Sequence, residues 1–148
     1  MKAFALLLPF LLVACDSAPE VADKPEVKTA PIKQVFDVRS LLFRDIRTIK
    51  KELGKSEDTF KPTPLQVKMN IPGDVEFVRD TLSLEISYNL KTHKPVSFNL
   101  SYPHPVKDVA VLLGAGGLEA SGARYKVRPM PVIVAPEWIA SVNITPIR

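Results

Sequence analysis

The sequence predicts an α+β fold, one antiparallel sheet with one long and one short helix packed on a single face. Two patterns carry this. Apolar and polar residues alternate through residues 65–71, 82–90 and 96–102, the period of strands that are wet on one side and covered on the other. Val38, Leu41, Leu42, Ile46, Ile49 and Leu53 instead form one stripe at helical spacing. Val106, Val109, Ala110 and Leu113 repeat that spacing over a shorter run.

In chain order, Lys2 precedes an apolar run from Ala3 to Ala14. A short positive start, an apolar stretch and small residues at its end describe a secretory signal peptide over residues 1–14. The run falls short of the roughly 20 residues that span a bilayer. Leu12-Val13-Ala14-Cys15 resembles the lipobox of bacterial lipoproteins. The resemblance implies that the signal is cut before Cys15 and that its sulfur carries a diacylglycerol, with fatty chains such as palmitate. The other reading is a plain secretory signal followed by a free thiol. Asp16 is similar to the sorting residue that retains enterobacterial lipoproteins in the inner membrane. The resemblance therefore implies a lipid-anchored protein of the cell envelope, on the periplasmic face of the inner membrane ahead of the outer membrane. Two or more acyl chains hold a protein stably where one holds it only marginally.

Residues 15–35 read as a lipidated N-terminus and linker, with Pro19, Pro25 and Pro31 and no aromatic residue before Phe36. Residues 36–148 are long enough to bury one core and read as a single domain. Removal of the signal takes one lysine and leaves 19 basic against 16 acidic side chains. So mild a positive charge suits an anionic lipid surface and argues against a nucleic-acid partner. Cys15 is the only cysteine, so no disulfide forms within the chain.

Within the domain, Asp37 is placed to start a helix over 38–53 and Gly54 to end it. Lys55 to Pro64 reads as a polar loop. Strands are predicted from Leu65 to Ile71, Val75 to Arg79, Leu82 to Leu90 and Val96 to Tyr102, with turns at Pro72-Gly73-Asp74 and at Lys91 to Lys94. Pro103-His104-Pro105 is expected to break the last of these. A short helix from Val106 then runs into Gly114-Ala115-Gly116-Gly117. Tyr125 to Val134 and Ile139 to Ile144 complete the set, with Pro129, Pro131 and Pro136 marking an edge or a bend. Trp138 is expected to help fasten this end to the core. A helix ending in Leu53-Gly54-Lys55 before a meandering sheet resembles the small envelope lipoproteins of the SmpA/BamE type, and also β-lactamase inhibitory proteins. Only Ile49 to Lys55 and the strand order carry this. Ser56 stands where the SmpA/BamE pattern has proline, and no functional residue transfers.

The chemistry to be found is sparse. His93 and His104 lie in a turn and between prolines, read as solvated, with no partner at metal-ligand spacing. Gly114-x-Gly116 lacks the third glycine of a phosphate cradle, since Glu119 occupies that place. No nucleophile, base and acid can be ordered into a catalytic set. The expectation is a non-enzyme with no cofactor and no metal. Arg44, Arg47, Lys51 and Lys55 form a basic stripe. It reads as contact with lipid headgroups, or as an ordinary solvated face on which Asp45 and Glu52 pair locally. Ser83, Ser87, Asn89, Ser97, Asn99 and Ser101 form a weakly charged polar face, either a binding surface or plain solvent exposure. The role expected is a binding or adaptor module with a membrane contact through Cys15 and a protein partner in the envelope. The alternatives are a surface inhibitor or phage-exclusion factor, and a small hydrolase of unplaced residues.

Overall fold

The computed structural model describes residues 32–57 and 61–148; the signal, Cys15, Asp16 and the linker up to residue 31 lie outside the described residues. Among the described residues the fold class is α+β, with five antiparallel strands and four helical segments. The strands are β1 (Gly73–Arg79), β2 (Leu82–Tyr88), β3 (Pro95–Val106), β4 (Tyr125–Val132) and β5 (Ala135–Pro146). Their order across the sheet is β1-β2-β3-β5-β4. Val75, Phe77, Leu84, Ile86, Phe98, Leu100, Val142 and Ile144 line the covered face, each no more than 2% exposed. No polar or charged side chain is buried among the described residues.

The expected long helix is two pieces, α1 (Val38–Leu41) and α2 (Ile46–Leu53). Asp45 explains the break. Its backbone is extended and its side chain accepts from the Arg47 amide at 2.9 Å, so a second helix starts there. The Ile46 amide donates to the His93 carbonyl (2.8 Å), tying this start to the β2–β3 turn. The apolar stripe survives because Val38, Leu41, Leu42, Ile46 and Ile49 are all buried in the one core. Periodicity alone cannot see such a break. Gly54, at φ +86°, ends α2 as expected.

The strand expected at Leu65 to Ile71 is instead helix α3 (Pro64–Met69). Thr63 and Gln66 form a reciprocal capping box, Pro64 opens the first turn, and Asn70 closes the helix in the left-handed region. Its apolar residues do not mark a buried face: Leu65 is 63% and Met69 64% exposed. The expected break at Pro103-His104-Pro105 is also corrected. β3 runs on to Val106, but its pairing with β5 skips from Ser101 to Val106. The two prolines, which lack an amide hydrogen, fall where the ladder asks for none. Val106 therefore belongs to β3, and α4 (Val109–Ala115) starts later, capped by Asp108. Its end needs glycine. Gly117 sits at φ +66°, and a Cβ there would lie 2.5 Å from the Gln34 amide nitrogen.

β4 is an edge strand and carries Pro129 and Pro131, whereas β5 lies inside the sheet with Pro136 at an irregular stretch near its start. Trp138 is half-buried, with the Lys107 ammonium 4.9 Å from its ring centre. Contacts with the domain begin before Phe36. Val35 and Phe36 donate to the Ala115 carbonyl (2.8 and 3.0 Å), and Lys33 pairs with Asp80 at 2.8 Å.

Candidate functional site

The open face of the sheet carries an ordered array of polar and charged side chains. Antiparallel register places its side chains in three rows. One runs Glu76, Glu85, Asn99, Asn143 and Arg128, from β1 across to β4. A second runs Val78, Ser83, Ser101, Ser141 and Met130 by the same pairings. The third opens with Asp74, Ser87 and Ser97 and ends, on the far edge, with Thr145 and Lys126. The face is therefore polarised. Asp74, Glu76 and Glu85 stand on its first two strands, and Lys126 and Arg128 on its last, about 14–20 Å away across three to four strand spacings. Serine and asparagine, each able to donate and to accept, fill the middle.

Five of the six residues expected on this face are there. Ser83, Ser87, Ser97, Asn99 and Ser101 all point away from the core. Asn89 does not join them. It lies past the end of β2, where its carbonyl oxygen accepts from the Lys91 and Thr92 amides and its nitrogen donates to Asn70 at 2.8 Å. The turn holds its side chain through these bonds. Ser87 donates to Asp74 and Ser83 to Glu76, so the acidic side is held in place by its neighbours. Glu76 and Glu85 face each other directly, an arrangement that costs stability in an antiparallel pair. Among the residues missed at this face were Glu76, Glu85, Arg128, Ser141 and Asn143. Alternation alone exposes Glu85, Ser141 and Asn143. Adding Arg128 to their row requires the β5–β4 pairing, which no local pattern reveals.

Asn99, Arg128, Met130, Ser141 and Asn143 line an open cleft of about 370 Å³ on this face. A second cleft, of about 390 Å³, lies between the two N-terminal helices and the end of β1. Its charged groups already hold structure. Asp37 caps α1, Glu52 pairs with Arg44, and the Arg79 guanidinium donates to the Leu53 carbonyl (2.6 Å) over the Phe36 ring.

The basic stripe is partly spent in the same way. Arg44 lies in the break between the helices and pairs with Glu52, and Arg47 pairs with Asp45 at 3.0 Å. Lys51 and Lys55 remain exposed. The hydrogen bond from Arg47 draws the Asp45 carboxyl down from its ordinary 3.8 to about 2. The Asp80 carboxyl is lowered, and the Lys33 ammonium raised, by their mutual hydrogen bond. His104 is exposed; His93 is half-buried and engaged through its main chain. No group of three or more potential metal ligands occurs among the described residues, and no helix among them is long and apolar enough to cross a membrane.

Compared with family models, curated proteins and solved structures, the chain matches none.

Proposed function

We propose that the chain is a membrane-anchored envelope lipoprotein acting as a non-catalytic binding or adaptor module. The observation that supports a binding role is the polarised open face. An acidic side, a hydrogen-bonding middle and a basic side on one rigid sheet give a partner three features to match in register. The Glu76–Glu85 opposition supports it further, because like charges that burden the free fold are relieved when a cationic group settles between them. The tether is supported by the sequence, through the lipobox-like Leu12-Val13-Ala14-Cys15. A protein held in two dimensions meets its partners at a raised local concentration.

Two experiments test this. Palmitate labelling should mark the wild-type chain and not Cys15→Ser. Unlabelled wild type would end the lipoprotein reading. For the face, a photoreactive residue replacing Asn99 should give discrete protein adducts in intact envelopes, whereas one replacing Thr48 on α2 should not. Adducts equal from both positions, or from neither, would end the binding reading. Glu85→Gln should weaken the Asn99 adducts while stabilising the free domain by about 0.2–1 kcal/mol in urea unfolding.

A further inference from the structure

The turn between β4 and β5 is two residues, Ile133 and Val134, since Val132 pairs with Ala135. They are 97% and 91% exposed. Neither has a positive φ, so this is not the glycine- or asparagine-rich turn that usually closes a two-residue hairpin. Two large β-branched apolar side chains at a fully exposed tip gain nothing for the isolated fold. From Tyr125 to Pro136 the hairpin carries Lys126 and Arg128 and no acidic residue. Behind the tip, Trp138 lies half-buried under the Lys107 ammonium.

The register fixes which end of the domain this is. Val78 and Met130 occupy one row across the sheet. Asp80, in the β1–β2 turn, lies two residues beyond that row, and Ile133 lies three beyond it. Both turns therefore project from the same end, roughly 7–10 Å past the row. Lys33 is paired with Asp80. The N-terminal segment thus joins the domain at the end that carries the apolar tip. Cys15 precedes Lys33 by 18 residues, a length of chain that can reach at most about 60 Å. Lys33 and the tip, about 20 Å to its side, thus share one end of the domain.

We infer that the Ile133–Val134 tip inserts into the interfacial layer of the bilayer to which the chain is tethered, setting the domain upright on its end with Trp138 at headgroup level. The inference rests on the lipid-anchor reading. The tip is too small to hold a free protein on a membrane, but insertion becomes intramolecular once the tether is in place. Lys107 and Trp138 suit the headgroup zone, where amphipathic rings and long cationic side chains settle. Glu137 and Asp108 stand at this end too, so the apolar tip and not net charge selects the surface. With the sheet standing on end, its polarised face looks sideways and stays open to a partner.

Trp138 is the sole tryptophan and reports directly. The full-length lipidated chain, purified from membranes, is reconstituted into phosphatidylcholine vesicles, floated, and its fluorescence read with lipids carrying a nitroxide at the headgroup or deep in the acyl chain. Headgroup-level quenching of the wild type is expected, with little from the deep label. It should be lost in I133D/V134D, which should float equally and keep the wild-type melting curve. Flotation without quenching, as when the tip serves a protein instead, would overturn the inference and leave the anchor intact. Quenching unchanged in the double variant would overturn it as well. A wild type that does not float would overturn the anchor reading and this inference together.

Discussion

Asp45 shows how much one exposed side chain can decide. It caps α2, breaks the helix that periodicity predicts, and pairs with Arg47. Its carboxyl titrates at about 2 in the folded chain against an ordinary 3.8. A carboxyl so lowered contributes stability that is present above its ordinary value and is lost as pH falls through the folded one. Asp45→Asn keeps a good cap but removes the charge. Wild type should exceed it in urea unfolding at pH 7, and the gap should close between about pH 4 and pH 2. Thr81 is the complementary case, a β-branched residue at φ +68° in the β1–β2 turn. The left-handed conformation costs such a residue about 1–2 kcal/mol, of which the entropy glycine adds to the unfolded chain offsets part. Thr81→Gly should raise stability by about 0.5–1 kcal/mol in the same assay. Neither residue advertised itself. Asp45 sits inside a pattern that already read as helix, and Thr81 is not the residue such a turn selects.

At the scale of elements, β1 to β3 were legible because a buried face leaves a period in the sequence, whereas α4 was legible as a helix but not in its bounds or face, since Val106 lies in β3 and Ala110 is exposed. Val75, Leu84, Ile86, Phe98 and Leu100 alternate because one side of each strand meets the core. α3 was misread for the same reason turned around. Of Leu65, Val67, Met69 and Ile71 only Val67 packs on the core, so their alternation marks no strand face, while the true signal, Thr63-Pro64-Leu65-Gln66, is local capping chemistry. Helix α3 has no fully buried residue and meets the core only through half-buried Val67, so much of its stability is local. Thr63→Ala should cost it about 1 kcal/mol. The loss should show as faster amide exchange over residues 66–69 with an unchanged global melting temperature. A drop in global melting temperature would mean that α3 is coupled to the core.

For the whole molecule, the fold class was legible and the order of the strands across the sheet was not. Alternation says which residues face the core but not which strand lies beside which. The open face was therefore visible in its serines and asparagines from β2 and β3. Its charge gradient appears only once β5 is set between β3 and β4. The same order leaves β4 outermost, with Pro129 and Pro131 in it. Replacing both by threonine should keep the fold and produce concentration-dependent light scattering absent from the wild type.

Those two rings matter most where molecules stand shoulder to shoulder. A rim that lacks two amide hydrogens is a poor template for a neighbour's backbone. Copies that crowd against this side slide past one another instead of zipping together, so the proline pair guards one of the sheet's two borders, the other being β1.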